Sequence, residues 1–233
     1  MSSMPQAFPQ ASTWHFQAGA ARLSVRAAGF GTGELPPCAA EAAVVLDLAG
    51  ELLDALADAG LAPAAAWLWA GTADTPDAAG AQASWCGAEA QARLTLPWAL
   101  LRAQPQAPAV PGLQWLPTPA ECVLAGWQLE AAELAALEPG GLLLLDGPPA
   151  RRLRARGEAA GAASGEPRWQ LVARWEPPLA VEAVMGWGTA APALPPLCQL
   201  VDTHRPDTVL ARGRLLPWGS GQALRIDATT PWT

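Results

Sequence analysis

The chain has 233 residues, 51% hydrophobic and 15% charged, which is enough apolar material for one large or two small packed domains and disfavours wholesale disorder. The formal net charge is −7 and every basic side chain is an arginine, which argues against binding to nucleic acid, because that needs a basic face to neutralise phosphates. Four cysteines without a CxxC pair give no zinc signature and no disulfide framework, so reduced thiols are expected.

Residues 1–12 form a polar, proline-containing lead with neither the basic start nor the apolar core of a secretory signal. The longest stretch without a charge that leans apolar is 59–73, which contains Pro63 and is shorter than the roughly 20 residues of a membrane span. We therefore expect a cytoplasmic protein that does not insert into a membrane.

Periodicity predicts an N-terminal α+β domain over residues 13–104. Leu23 and Val25 alternate with polar residues, as in a strand with one buried face, whereas Val45, Leu48 and Leu52 form one stripe of a helix. A short helix begins at a proline, whose missing N–H costs nothing at that position. In chain order we predict strands at 14–16 and 22–26, a helix at 39–59, strands at 64–70 and 88–96, and a helix at 98–103.

The Pro-rich segment 104–112 predicts a boundary, with a second domain over 106–233. Residues 122–125 and 142–145 are apolar at successive positions, so both strands are expected to be covered on both faces. A short helix and a Pro-Gly-Gly turn separate them. So small a unit has little chain of its own to cover such strands, which favours a second copy or a partner.

The rest of the second domain is predicted to be rich in β-structure. Residues 147–167, rich in Gly, Ala and Arg, are predicted to be a loop, 169–175 a strand, and 179–185 a possible strand. Residues 208–226 are predicted to form a hairpin with its turn at 218–221. Its expected inner face consists of Val209, Ala211, Gly213 and Leu215.

Three segments resemble a known family. The strand that ends at Gly126-Trp127, the Leu-rich helix, Leu137-Glu-Pro-Gly-Gly141 and the run Leu142–Asp146 resemble the "L-x-x-L-x-P-G-D-hydrophobic" core of SPOA (surface presentation of antigens) domains. The segment Arg93–Trp98 resembles the Leu-x-Leu-Pro segment that closes the N-terminal domain of SctQ/HrcQ/YscQ proteins, and Gly213–Ile226 resembles the closing hairpin of an SPOA domain.

The chain also departs from the SPOA pattern. Gly141 stands where the family has Asp, and the segment 147–167 is an insertion. Residues 179–226 form a possible eroded second copy, because Val181–Gly186 echoes Cys122–Gly126. Full-length relatives usually carry two SPOA domains, so this chain is also similar to the larger, N-terminal piece of a protein split into two polypeptides.

The resemblance implies a non-enzymatic component of a type III secretion cytoplasmic ring, or sorting platform, related to flagellar switch proteins. The implied location is cytoplasmic, peripheral to the inner-membrane secretion apparatus. The implied partners are another SPOA domain, from the same or a separate chain, the ATPase stator and other platform components. The expected partner-binding residues are Val123, Leu124, Trp127, Leu143, Leu145, Val209 and Leu215.

The other candidate sites give weaker signals. The run Arg151, Arg152, Arg154 and Arg156 is either a solvated loop or an electrostatic docking patch for an acidic partner. His15 and His204 have no metal ligands at suitable spacing, and no serine lies in a nucleophile elbow that could pair with Asp202 and His204. We therefore expect no catalytic, metal or cofactor site, and the alternatives are a secretion chaperone or regulatory adaptor, or a cytosolic enzyme with an undetected site.

Overall fold

The computed structural model describes residues 12–27, 29–30, 38–72, 79–145, 147–156, 158 and 167–230. The chain divides into two compact units, residues 1–117 and 118–233. Nearly all of the predicted lead and residues 159–166 of the predicted insertion lie outside the described residues. The α+β fold class, rich in β-structure, is confirmed, because each unit is built on an antiparallel sheet with short helices.

The N-terminal unit is a six-stranded sheet with order β3-β1-β2-β5-β4-β6. Its neighbouring strands all pair antiparallel. The elements are β1 (Thr13–Ala18), β2 (Ala21–Ala27), α1 (Ala39–Asp47), α2 (Gly50–Asp58), β3 (Leu68–Gly71), β4 (Ala81–Cys86), β5 (Ala90–Leu96), α3 (Trp98–Arg102) and β6 (Leu113–Trp115).

Alternation determines the core of this unit. Trp14, Phe16, Leu23 and Val25 point to one face of the sheet and are buried, while the residues between them are more exposed or polar. The predicted helix 39–59 is two helices, interrupted next to Gly50, the residue of poorest helix propensity in that stretch. The strand predicted at 64–70 begins later, as β3, and β4 was not predicted at all.

The unit boundary lies about a dozen residues after the start of the Pro-rich segment at 104–112. Residues 113–115 form β6, which pairs with β4 and so belongs to the first sheet. Prolines mark a break in regular structure, and here the chain returns to the same sheet after the break.

The C-terminal unit is a seven-stranded sheet with order β8-β13-β12-β11-β10-β7-β9. Each neighbouring pair is antiparallel. The elements are β7 (Ala120–Trp127), α4 (Ala131–Ala135), β8 (Leu142–Leu144), β9 (Arg152–Ala155), β10 (Trp169–Arg174), α5 (Val181–Met185), β11 (Cys198–Asp202), β12 (Arg205–Trp218) and β13 (Gly221–Thr229).

Several expectations for this unit are confirmed and others are corrected. The strand, helix and strand at 120–144 and the C-terminal hairpin form as predicted. The predicted loop 147–167 contains β9, and the predicted strand 179–185 contains the helix α5. Since Val181–Met185 is helical whereas Cys122–Gly126 is a strand, the echo between these segments is not a structural repeat.

The core of the C-terminal unit gathers residues from nearly every strand. Leu124, Leu171, Leu200 and Leu224 are among its buried members. In the hairpin, Ala211 and Gly213 are buried as predicted, and Leu210 enters the core although Val209 was expected there. A register shift between Leu200 and Val201 against β12 explains this, because a β-bulge moves the alternation by one residue.

Candidate partner-binding site

Most of the predicted partner-binding residues belong to the unit's own core. Leu124 and Leu145 are buried, and Trp127, Leu143 and Leu215 pack against the same cluster. A partner could reach Leu124 and Leu145 only by opening that core, whereas Trp127, Leu143 and Leu215 are half-buried. Val123 and Val209 are half-buried and pair with Val172 and Val201, on the opposite face of the sheet.

The prediction that β7 needs a second polypeptide to cover it is corrected by this packing. Ala120, Glu121, Cys122 and Leu124 are buried. Cys122 and Leu124 share one cluster with residues of α4 and of β10 to β13, and Glu121 bonds to Arg154 of β9. The covering elements include β9 and β11, neither of which was predicted.

The strand β8 is different, because it lies at the edge of the sheet and its outward side chains are exposed. Leu142 and Leu144 are 39% and 52% exposed, whereas Leu143 between them packs against the core. The expectation of two-sided burial at 142–145 therefore holds for one face only within this unit.

The backbone of β8 also has an open side. The N–H of Leu145 donates to Gln222 at 3.0 Å and the N–H of Ile226 donates to Gly141 at 2.9 Å, so residues 141, 143 and 145 bond toward β13. In an antiparallel ladder the backbone groups of Leu142 and Leu144 then point away from β13. The indole Nε1 of Trp127 donates to the Leu144 carbonyl at 3.3 Å, and within the described residues no strand pairs with this side of β8.

The exposed leucines continue into an apolar surface on the neighbouring strands. Leu144 is opposite Ala223, which is opposite Leu216, and Trp218 lies two residues further along β12 and is 54% exposed. We call Leu142, Leu144, Leu216 and Trp218 the edge patch.

Charged residues lie beside the edge patch on the same face. Arg225 is opposite Leu142, and Arg214 is opposite Arg225. Both guanidinium groups share Asp227, at 3.2 Å from Arg225 and 3.5 Å from Arg214. An apolar centre with a charged rim is the usual anatomy of a protein interface.

The predicted partner-binding residues do not include Leu142, Leu144, Leu216 or Trp218, although the strand 142–145 was expected to be covered by a partner and a signal for the other two was present. In β12, residues 212, 214, 216 and 218 alternate with the inner face, and the last two are apolar although they point outward. An outward apolar pair at the end of a hairpin is the pattern that could have identified the patch.

The arginine run splits into three different environments. Arg154 is buried, and its Nη2 and Nε donate to Oε1 of Glu121 at 2.7 and 2.9 Å. Arg156 forms an exposed ion pair with Asp207 at 2.8 Å, and Arg151 and Arg152 are exposed. The run is therefore not a continuous docking patch, because Arg154 is bound to Glu121 inside the unit although it lies on the same face of β9 as Arg152.

Glu121 is the centre of a buried ionic network. Its Oε2 accepts a hydrogen bond from Arg174 at 3.0 Å, while Arg154 also donates to Gln170 and Arg174 to Gln199, each at 3.0 Å. One carboxylate thus faces two guanidinium groups, and each glutamine accepts one further N–H. The network links β7, β9, β10 and β11.

Two of the four thiols lie in the core of the C-terminal unit. Cys122 and Cys198 are both opposite Ala173, on the strands that flank β10. Burial raises the pKa of Cys122, an effect that Arg151 partly offsets. Burial raises the pKa of Cys198 to about 11, and Cys122 adds to that rise while a hydrogen bond with the backbone of Leu215 opposes it. These thiols are held in the neutral form and are poor nucleophiles.

The residues considered for catalysis do not form a triad. Asp202 accepts a hydrogen bond from the backbone N–H of His204 at 2.9 Å, and Nδ1 of that imidazole lies 3.3 Å from the hydroxyl of Thr203. The carboxylate therefore stabilises a turn and does not orient the ring. Within the described ranges no group of three or more His, Cys, Asp or Glu residues is placed to hold a metal ion.

Comparison of the chain with protein-family models, curated proteins and solved structures finds no match. In the part of the chain that the structure describes, every helix is too short or too polar to cross a bilayer.

Proposed function

We propose that this chain is a non-enzymatic structural component of a type III secretion cytoplasmic ring, and that β8 accepts a strand from a second SPOA-like domain. The paired domains would then bind the ATPase stator. The sequence resemblance supports the identity of the assembly. One structural observation carries the choice of surface: β8 is an edge strand that exposes both Leu142 and Leu144.

The occupant is a strand because the N–H groups of Leu142 and Leu144 and the carbonyl of Leu142 face away from β13, although the carbonyl of Leu144 already accepts the indole N–H of Trp127. Backbone N–H and C=O groups in a row at a sheet edge bind another extended backbone. A partner strand with apolar residues at alternate positions would place those side chains over Leu142 and Leu144. It would pair with β8 at the edge of the sheet and would not enter the core of the unit. The partner's side chains on that face would continue the apolar surface formed with Leu216 and Trp218.

The energy available shows how large the contact must be. A leucine side chain that becomes fully buried contributes about 1.5–3 kcal/mol, so covering the exposed half of Leu142 and of Leu144 contributes about 1 kcal/mol each. Association itself costs more than this, at roughly 4 kcal/mol or above. The edge patch therefore forms the centre of an interface that also needs backbone hydrogen bonds and Trp218.

The test is the mass in solution of the full chain, alone and mixed with a candidate SPOA chain, by light scattering after size exclusion. The wild-type chain should form a defined complex, and Leu144→Asp should weaken it at least about 100-fold, because a carboxylate buried without a partner costs several kcal/mol. Leu144 is exposed in the free unit, so the variant should fold normally.

Leu68→Asp is the matched control, since Leu68 is an exposed leucine on β3, an edge strand of the other unit. It should leave the complex intact. A complex that tolerates Leu144→Asp as well as Leu68→Asp would refute the proposed surface. A discrete dimer of the chain alone that ignores SPOA partners would instead favour a chaperone.

A further inference from the structure

The sheet of the N-terminal unit has a second face that the assembly proposal does not use. One polar row crosses five strands in register: His15 is opposite Ser24, Ser24 opposite Arg93, Arg93 opposite Ser84, and Ser84 opposite Gln114. Residues that are directly opposite one another point to the same side of a sheet. This face lies opposite the buried one that carries Trp14 and Leu23.

A second polar row runs beside the first. Thr13 is opposite Arg26, which is opposite Gln91, and Gln91 is opposite Cys86. If this face were simply exposed to solvent, any polar residues could occupy these positions. The two rows, however, line a cavity of about 470 Å³ in this unit, which lies within the range of about 300–1,000 Å³ that ligand sites occupy. We call it the N-terminal cavity.

The side chains in the N-terminal cavity are partly fixed before any ligand arrives. Nδ1 of His15 lies 2.8 Å from the hydroxyl of Ser24, and Nε of Arg26 donates to the hydroxyl of Thr13 at 2.8 Å. Ser24, Ser84 and Gln91 are half-buried at its base, while Arg93 is exposed. Donors held in this way lose less conformational entropy on binding.

The described lining of the N-terminal cavity holds two arginines and no carboxylate. The N-terminal cavity contains Arg26 and Arg93, and among the described residues neither of them forms an ion pair with a carboxylate. None of the described carboxylates of the unit lines it; they lie on the helices and in one turn, as Glu41, Asp47, Glu51, Asp54, Asp58 and Glu89. In a chain of net charge −7, the described lining of this cavity thus carries two positive charges.

We propose that the N-terminal cavity binds an extended acidic peptide segment of a partner protein, with carboxylates at alternate positions paired to Arg26 and Arg93. These arginines are diagonal neighbours on β2 and β5, since Arg26 is opposite Gln91 and Arg93 is opposite Ser24. Diagonal neighbours lie about 7–8 Å apart, and alternate residues of an extended peptide are about 7 Å apart on one side. Guanidinium groups bind carboxylates through two parallel hydrogen bonds.

The pairing of carboxylates with Arg26 and Arg93 can be tested directly by fluorescence anisotropy with the full chain at low ionic strength. The probe is a labelled octapeptide that alternates glutamate and threonine, compared with an isomer whose four glutamates are contiguous. The alternating peptide should bind more tightly. Arg26→Gln and Arg93→Gln should each weaken it at least about tenfold, because each loses a charge-assisted hydrogen-bond pair.

Arg22→Gln is the matched control. Arg22 lies on the same strand as Arg26 and has the same charge, but it is outside the lining of the N-terminal cavity and bonds to the carbonyl of Gly19 at 2.8 Å. Arg22 is also a diagonal neighbour of Arg93, but its Nη1 is held by the carbonyls of Gly19 and Ala21. Its loss should remove only a through-space charge effect and change the dissociation constant by less than about threefold. All three variants replace residues outside the core and should keep the wild-type circular dichroism spectrum.

Four results would overturn this inference: no binding of either peptide, equal binding of the two isomers, equal weakening by Arg22→Gln, or tighter binding of inorganic phosphate than of the alternating peptide. The inference does not depend on the edge patch. Leu144→Asp should leave peptide binding unchanged, so each proposal fails or survives separately.

Discussion

Replacing Glu121 by glutamine should destabilise the C-terminal unit strongly while keeping the shape of the side chain. The Glu121 side chain is 3% exposed and those of Arg154 and Arg174 are 10% exposed, so all three charges are removed from water. In Glu121→Gln two buried guanidinium groups would face each other without a carboxylate. Breaking a buried ionic pair in this way costs about 3–5 kcal/mol.

Amide hydrogen exchange measured by mass spectrometry on the full chain can assign this loss to one unit. Peptides from β7, β10 and β11 should lose protection by roughly two to three and a half orders of magnitude, since about 1.4 kcal/mol corresponds to a factor of ten. Peptides from β1, β2 and β5 should be unaffected. The free energy lost in Glu121→Gln is a large fraction of a typical domain stability of about 5–15 kcal/mol.

Asp207→Asn provides the matched control, because it makes the same change of carboxylate to amide in the ion pair with Arg156. That pair is solvent-exposed, with side chains 45% and 88% accessible, so its loss should cost less than about 1 kcal/mol. If Glu121→Gln changes protection no more than Asp207→Asn does, the buried network does not stabilise this sheet.

Two further predictions concern the same unit. Burial raises the pKa of Cys198 to about 11, so as the pH rises toward that value the unfolded chain loses this thiol proton before the folded chain does. The free energy of unfolding should therefore fall by up to about 3 kcal/mol between about pH 9 and pH 11. Urea titrations under reducing conditions should show that fall, and Cys198→Ala should lose most of it; an unchanged slope in the variant would contradict the assignment. A Cβ at Gly213 would clash with the Arg225 carbonyl oxygen, so Gly213→Ala should cost about 3 kcal/mol by separating β12 from β13. Gly221→Ala in the same hairpin should cost less than about 0.5 kcal/mol, because the nearest atom to its Cβ is 3.9 Å away. Equal urea midpoints for the two glycine variants would contradict the close approach.

Clear periodicity explains which elements the sequence predicts. The alternation of Leu23 and Val25 and that of Trp169 and Leu171 give β2 and β10, and the Gly-rich turn gives the C-terminal hairpin. These signals depend only on residues that are close in the sequence, so they can be read without knowing the tertiary arrangement.

The missed elements lack such signals. β9 lies in a segment whose composition predicts a loop, and it is held by pairing with β7 together with the contact of Arg154 with Glu121, 33 residues away. β11 follows a proline cluster, and its place between β10 and β12 depends on long-range pairing. These interactions become visible only once the strands are assembled.

The same dependence on long-range strand pairing explains why the candidate site differs from the predicted partner-binding residues. Four successive leucines at 142–145 predict two buried faces, but the number of strands that cover them depends on the order of the sheet. Because β8 is an edge strand, Leu142 and Leu144 stay exposed while Leu143 and Leu145 pack in the core.

Residue-resolved amide exchange at β8 is the most direct test of partner binding by strand addition. The N–H of Leu144 points away from β13, so it should exchange rapidly in the free chain and at least about tenfold more slowly when an SPOA partner is bound. Exchange at Leu144 that stays fast in a complex of confirmed mass, or protection that appears at β9 on the opposite edge, would contradict pairing through β8.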